Sequence, residues 1–190
     1  MKIGLFGGSF DPVHYGHLLV AQSAREELQL DRFFFIPTAV SPFKPNTPPL
    51  PGIERLRLLR LALAGQTTIE VDSQEIDRGG TSYTIDTLRT YHTRFPEAIL
   101  YYLIGADNAA LLPQWRCAEE LSQLARFVIL SRPGEPPISV PSPFQGQVLR
   151  GIPHSVSSSQ IRARVRSGQP IDYLTPPAVA EAIRINHLYL

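Results

Sequence analysis

The chain has 190 residues, 43% hydrophobic and 18% charged, with a formal net charge of +1. Bulk charge of that size excludes a protein that holds a nucleic-acid polymer or a membrane surface by its overall field, so any anion site must be built locally. The single cysteine, Cys117, excludes an internal disulfide and a cysteine-based zinc centre, and it fits a reducing compartment.

The length fits one domain, residues 1–190, with a sizeable core. The apolar run after Lys2 is too short for a signal peptide. The most apolar stretch, "AILYYLIGADNAALL", is broken by Asp107 and Asn108 well before membrane-spanning length. A cytoplasmic protein with no membrane association is expected.

In chain order, residues 3–6 predict a short buried strand. Residues 15–28 predict a helix with Leu18, Leu19, Ala21 and Ala24 available for one face. "RFFFIP" predicts a strand stopped by Pro37. "GIERLRLLRLALAG" predicts a helix stopped at Gly65, and "TIEV" a strand. "SYTIDTLRTYHTRF" predicts a helix ended before Pro96, and "AILYYLIG" a strand. "CAEELSQLA" predicts a helix and "RFVILSRPG" a strand running into a turn. A weaker strand is expected at residues 148–152, then two helices, "SSSQIRARVRSG" and "PPAVAEAIRINH". This alternation predicts an α/β fold, a Rossmann-like doubly wound parallel sheet with C-terminal helices. Prolines crowd the segment from Pro37 to Pro51, and a connection of that length is a functional loop or a surface link.

The opening "GGSFDPVHYGH" carries the first chemical signal. In doubly wound folds ligands bind beyond the carboxyl ends of the strands. Gly7 and Gly8 follow the first strand, where glycine permits close backbone approach to a phosphate or a positive φ. Ser9 and Phe10 continue the turn into a helix starting near His14, and its N-terminal amides and dipole favour an anion. His14 and His17 stand at i and i+3, on one face of the first turn, with Gly16 leaving room between them. A tight turn plus a satisfied surface pair is the ordinary alternative. Zinc lacks a convincing third ligand, because His92, His154 and His187 lie in unrelated contexts. The segment is neither a Walker A loop nor a G-x-G-x-x-G fingerprint.

This stretch resembles the H-x-G-H signature of the nucleotidyltransferase superfamily, the Rossmann-like adenylyl- and cytidylyltransferases. The resemblance implies that His14 and His17 bind ATP phosphates and stabilise charge as the α-phosphorus is attacked. Near the other end, "VSSSQIRARVRSG" resembles the I-S-S-T-x-I-R element that grips the ATP β- and γ-phosphates. On residue type alone, Ser157, Ser158 and Ser159 are cap-type residues, and with Arg162 they could form a second phosphate site or merely start a surface helix.

Between these ends, "GTSYTIDTL", "LIGADNAALLPQW" and "LSRPG" resemble the bacterial nicotinate mononucleotide adenylyltransferases across nearly the whole chain. That likeness implies that Ser82, Tyr83 and Thr84, with Gly105, Asp107 and Trp115, hold the pyridine nucleotide. Trp115 would be the platform for the ring, Asp107 an acceptor for ribose hydroxyls, and Arg132 would lie beside the adenosine. Hydroxyls are kept where the family has Thr, at Ser9 and Ser159. The long loop reads Ser41-Pro42-Phe43-Lys44 where the family commonly has Pro-Pro-His-Lys, so Lys44 is retained and Phe43 replaces a histidine.

The implied partners are ATP and nicotinate mononucleotide, acting in a monomer or a homo-oligomer. The mononucleotide phosphate is already ionised at neutral pH, so no general base is required. Catalysis would be positioning and electrostatic stabilisation by His14, His17, Lys44 and Arg162. Mg²⁺ would arrive with ATP, for want of a dedicated carboxylate cage. Coenzyme A pathway adenylyltransferases normally have Thr in place of His14 and lack the I-G-x-D…W segment. A glycerol-phosphate cytidylyltransferase and a non-catalytic nucleotide sensor on the same scaffold are further alternatives.

Overall fold

The computed structural model describes residues 1–42, 49–131 and 139–190. Its centre is a six-stranded sheet, β1 (Lys2–Gly8), β2 (Arg32–Pro37), β3 (Ile69–Val71), β4 (Ile99–Gly105), β5 (Arg126–Leu130) and β6 (Gly146–Leu149). The spatial order is β3-β2-β1-β4-β5-β6 and every pairing is parallel. The chain steps outward from β1 to β3, then returns past β1 to β4 and steps outward the other way. The order therefore reverses beside β1, the place where such sheets open a crevice for ligands.

Helices α1 (Tyr15–Leu28), α2 (Gly52–Ala62), α3 (Gln74–Arg78), α4 (Thr84–Arg94), α5 (Ala106–Ala109), α6 (Ala118–Leu124), α7 (Ser158–Arg166) and α8 (Pro177–Ile185) complete the fold. A single 3₁₀ turn lies at Leu112–Gln114. Successive side chains of a strand point to opposite faces, and both faces here are covered, so the strands read as unbroken apolar runs. In β2, Phe33 and Phe35 enter one core with Phe6, Leu103 and Val128, under Ala21, Leu58, Leu59, Ile161 and Val179. Phe34 and Ile36 enter the other with Leu5, Tyr102 and Ile129, under Ile85, Leu88, Tyr91 and Leu121. The register sets Leu5 beside Phe34 and Tyr102, and Phe6 beside Phe35 and Leu103.

Several boundaries differ from the sequence expectation. β1 runs on through Gly7 and Gly8. α2 ends at Ala62, three residues before the expected stop, and Gly65 (φ 83) sits in the turn beyond. The last strand is Gly146–Leu149 rather than 148–152. Gly146 sets that register: a side chain there would run into the Phe127 carbonyl, so only glycine lets the edge strand come so close to β5. α3 and α5 are too short to leave a helical periodicity, and neither was expected. Among the described residues, no helix is long and apolar enough to cross a membrane.

Candidate active site

His14 caps α1 with an extended backbone (φ −148°, ψ 171°), and its N–H donates to Nδ1 of His17 at 3.2 Å. With Nδ1 an acceptor, the proton of a neutral His17 ring belongs on Nε2, which makes Nε2 the donor toward any anion. The two rings stack with centroids 3.7 Å apart, and Phe10 packs edge-on against His17 at 4.9 Å. His14 is buried and His17 half-buried. Part of the first helical turn is already engaged: the Tyr15 N–H donates to the Leu174 carbonyl and the His17 N–H to the His14 carbonyl.

Of the two reasons the sequence suggests for Gly7 and Gly8, positive φ does not apply, and the room expected at Gly16 is present. Neither Gly7 nor Gly8 has a positive φ; the left-handed residue of the turn is Phe10, at φ 47. A side chain on Gly7 would strike the Tyr102 hydroxyl. One on Gly16 would strike the rings of His154 and His14. His154, expected in an unrelated context, is thus brought against the H-x-G-H turn by the coil that follows β6.

The turn is fastened from below by residues that carry no motif. Arg55 of α2 is buried, 1% exposed, and its guanidinium donates to the carbonyls of Leu50 (2.8 Å), Ser9 (2.9 Å) and Thr38 (2.7 Å). One side chain therefore ties the glycine turn to both roots of the proline-rich segment. Burial pulls the Arg55 pKa down, and the facing Asp11 and Tyr189 oppose that shift. Asp11 accepts from the Leu50 N–H (3.1 Å) and the Tyr189 hydroxyl (2.9 Å) on one oxygen. Burial and the Asp11 carboxylate both push the Tyr189 pKa upward, so the phenol stays protonated and donates.

The second motif docks on the first. Arg162 Nη1 donates to the Asp11 carbonyl at 2.7 Å and lies 3.7 Å from its carboxylate. The Ser158 hydroxyl donates to the Pro12 carbonyl at 2.9 Å. Ser157 caps α7 by accepting from the Gln160 N–H, and Ser159 is exposed at the helix start. These bonds give the motif a structural duty that the sequence did not announce.

A cavity of about 700 Å³ opens beyond the carboxyl ends of β1, β2 and β4. Gly7, Gly8 and Ser9 line one side, and Ser82, Tyr83, Thr84, Gly105, Asp107 and Trp115 line the rest. The pyridine-side residues expected from the sequence thus meet in one place, except Lys44, which lies outside the described residues. Thr84 opens α4, so its amide has no intrahelical partner. Its hydroxyl donates to Tyr102 at 3.4 Å. The Ser82 N–H, by contrast, is engaged with the Val40 carbonyl at 2.9 Å. Trp115 meets Phe127 edge to face at 6.3 Å, and the Arg116 guanidinium sits 4.7 Å from the Tyr83 ring centroid.

Glu75, Tyr102 and Arg116 also line this cavity, and none was expected there. A second cavity of about 270 Å³ lies at the ends of β5 and β6, between Val20, Ser131, Arg150, Gly151 and His154. Phe43 and Arg132 lie outside the described residues. Among the described residues, no group of three or more His, Cys, Asp or Glu is placed to hold a metal ion.

The family described as cytidylyltransferase-like matches residues 5–164. A relative in Opitutus terrae named "Probable nicotinate-nucleotide adenylyltransferase" is 43% identical over 192 residues, covering 100% of this chain and 98% of that one. One of the same name in Geobacillus kaustophilus is 42% identical, covering 99% and 86%. Among solved structures, the Plasmodium falciparum nicotinic acid mononucleotide adenylyltransferase complexed with NaAD superposes with a TM-score of 0.81 at 21% identity, covering 99% and 97%. That last likeness bears on the fold, and the sequence relatives bear on the family. With the H-x-G-H turn at the switch point of a 3-2-1-4-5-6 sheet, the chain belongs to the cytidylyltransferase-like nucleotidyltransferases and, within them, to the nicotinate-nucleotide adenylyltransferases.

Proposed function

We infer that the chain joins ATP and nicotinate mononucleotide to give nicotinate adenine dinucleotide and pyrophosphate, as one nucleotidyltransferase domain in NAD biosynthesis. The observation that carries this reading is the shared cavity: the glycine turn of the phosphate motif and the residues expected to hold a pyridine nucleotide border the same space. The cytoplasm is the assigned compartment, since it supplies ATP and keeps the exposed Cys117 reduced.

In this reading the pyridine ring lies against Trp115, with its carboxylate at the 82–84 turn and its ribose hydroxyls toward Asp107. The adenosine takes the second cavity, which Ser131 borders just before Arg132. The triphosphate crosses between the two at the start of α1. The mononucleotide phosphate oxygen attacks the α-phosphorus, the bond to the β-phosphate oxygen breaks, and pyrophosphate leaves. His17 Nε2–H and His14 face the developing charge, and the Arg162 donors other than Nη1 reach the leaving group, with Lys44 supplied by the loop. Magnesium enters as part of the ATP substrate.

The test is pyrophosphate release from ATP with a panel of acceptors: nicotinate mononucleotide, nicotinamide mononucleotide, phosphopantetheine and glycerol phosphate. The nicotinate compound is expected to be fastest. A helix start favours an anion by ~0.3–2 kcal/mol, and an amide would leave donors unmatched at ~1–3 kcal/mol. Taken together at ~2–4 kcal/mol, the middle of their joint range, these give roughly thirty- to a thousand-fold in kcat/KM over the nicotinamide compound. ATP binding without pyrophosphate release from any acceptor would favour a nucleotide sensor instead. Acid and amide efficiencies within about threefold, under ~1 kcal/mol apart, would remove the 82–84 turn from selectivity.

A further inference from the structure

Glu75 is a carboxyl group with no duty in the scheme above, yet it lines the acceptor cavity. It projects from α3 and is 2% exposed. Oε1 accepts the Thr87 hydroxyl at 2.6 Å. Oε2 is buried and has no hydrogen-bond partner among the described residues. Thr87 lies in the first turns of α4, so the carboxyl sits against the start of the helix that Thr84 opens at the cavity wall. The Ser82 hydroxyl is on the same side. It accepts from the Ala39 N–H at 2.9 Å, which leaves its own proton for the Glu75 carboxyl. Val40 bridges to Thr81 just beyond, so Glu75, the acceptor turn and the root of the proline-rich loop form one connected unit.

We propose that Glu75 is a positioning and specificity-determining residue, held as a neutral carboxylic acid beneath the 82–84 turn so that the turn's donors select an acid acceptor over an amide. The proposal rests on the function inferred above. A carboxylate here would oppose the positive end of α4 and repel the ring carboxylate. It would also hold a buried charged oxygen with no more than the Ser82 proton to meet its lone pairs. The neutral acid removes the repulsion and keeps the bond to Thr87.

The surroundings agree. Burial pushes the Glu75 pKa up, and Asp72, after β3, adds to the rise. Thr87, Ser82 and Arg78 oppose it, the first two by hydrogen bonding and the last by charge. The β4 side presents Tyr102, whose own pKa is raised chiefly by burial, so it faces the carboxyl as a neutral phenol. Arg116 and Asp107 stand elsewhere on the cavity wall.

The sign of the pH effect follows. As pH rises through the raised pKa, Glu75 ionises and the preference for the acid acceptor weakens. The experiment measures kcat/KM for nicotinate and nicotinamide mononucleotides in the wild type and in Glu75→Gln, a neutral isostere, from acid pH up to the highest pH at which the wild type stays folded. The wild-type preference is expected to fall by roughly tenfold or more as the carboxyl ionises, mostly through KM for the acid, while the Gln variant keeps a flat preference. A purely structural role would change both acceptors alike.

Infrared spectroscopy of the ligand-free protein supplies a reading without turnover: a protonated-carboxyl C=O band that titrates in the wild type and is missing in Glu75→Gln. A flat wild-type preference while the band titrates, the same decline in both proteins, or no such band would overturn the proposal. Failure of the wild type to release pyrophosphate with either acceptor would instead overturn the inferred function, and the infrared band would still decide the state of Glu75.

Discussion

His17→Ala is expected to lower turnover by about 10²–10³ with the fold intact, the usual cost of removing one donor aimed at developing transition-state charge. The His14 N–H fixes the ring from its Nδ1 side and leaves Nε2 as the donor. Phe10 and Phe6 hold it in place, with ring centroids at 4.9 and 6.0 Å. An imidazole so restrained adds little ordering cost when the phosphates arrive. The loss should therefore fall on kcat more than on KM, because the bond strengthens as charge builds on the α-phosphoryl oxygens. The half-buried ring adds some packing, so a melting temperature lower by a few degrees fits the same picture. Steady-state rates at saturating ATP and acceptor, together with thermal unfolding, check this. Near-native turnover would remove His17 from the chemistry.

Arg55→Met is expected to lower stability by ~3–5 kcal/mol, the range seen when a buried charge loses its partner. Methionine fills the volume but leaves the Leu50, Ser9 and Thr38 carbonyls without their donor and Asp11 facing an apolar chain. For a chain of this size that is a fall in melting temperature of roughly six to twenty degrees. Arg55→Lys keeps the charge but cannot span three acceptors, so its loss should be smaller and should appear mainly in activity. The glycine turn and both roots of the loop that carries Lys44 would lose their common tie. Thermal or urea unfolding beside kcat/KM measures both. A melting temperature for the Met variant within about two degrees of wild type would show the tie to be dispensable.

The sheet was legible because parallel strands buried on both faces announce themselves as short apolar runs, and "RFFFIP" matched β2 residue for residue. The weak edge strand was misplaced because its register depends on one glycine passing close to β5, a contact no periodicity reports. The phosphate motif was legible because its parts lie within a dozen residues. Its supports were not. In "GIERLRLLRLALAG", Arg55, Arg57 and Arg60 look alike, yet Arg55 is buried under three carbonyls and Arg57 pairs with Glu54 near the surface. Residue type cannot separate them; only the packing of α2 on the sheet does. Glu75 was hidden in the same way, on a helix of five residues whose carboxyl meets α4 through the fold rather than through spacing.

The bond between Tyr189 and Asp11 joins positions 178 apart in sequence. Thr175 adds a second long-range tie, to the Val13 carbonyl at 2.8 Å. A ribosome makes these partners in a fixed order. The glycine turn with its two histidines emerges among the first residues, and these two of its fasteners emerge more than a hundred and sixty residues afterwards. Contacts of such separation form late and slowly, because a long loop must close before they return any energy. During synthesis the H-x-G-H turn therefore exists as sequence before it exists in its fastened form, which is complete only when the segment bearing Tyr189 has cleared the ribosome and folded back.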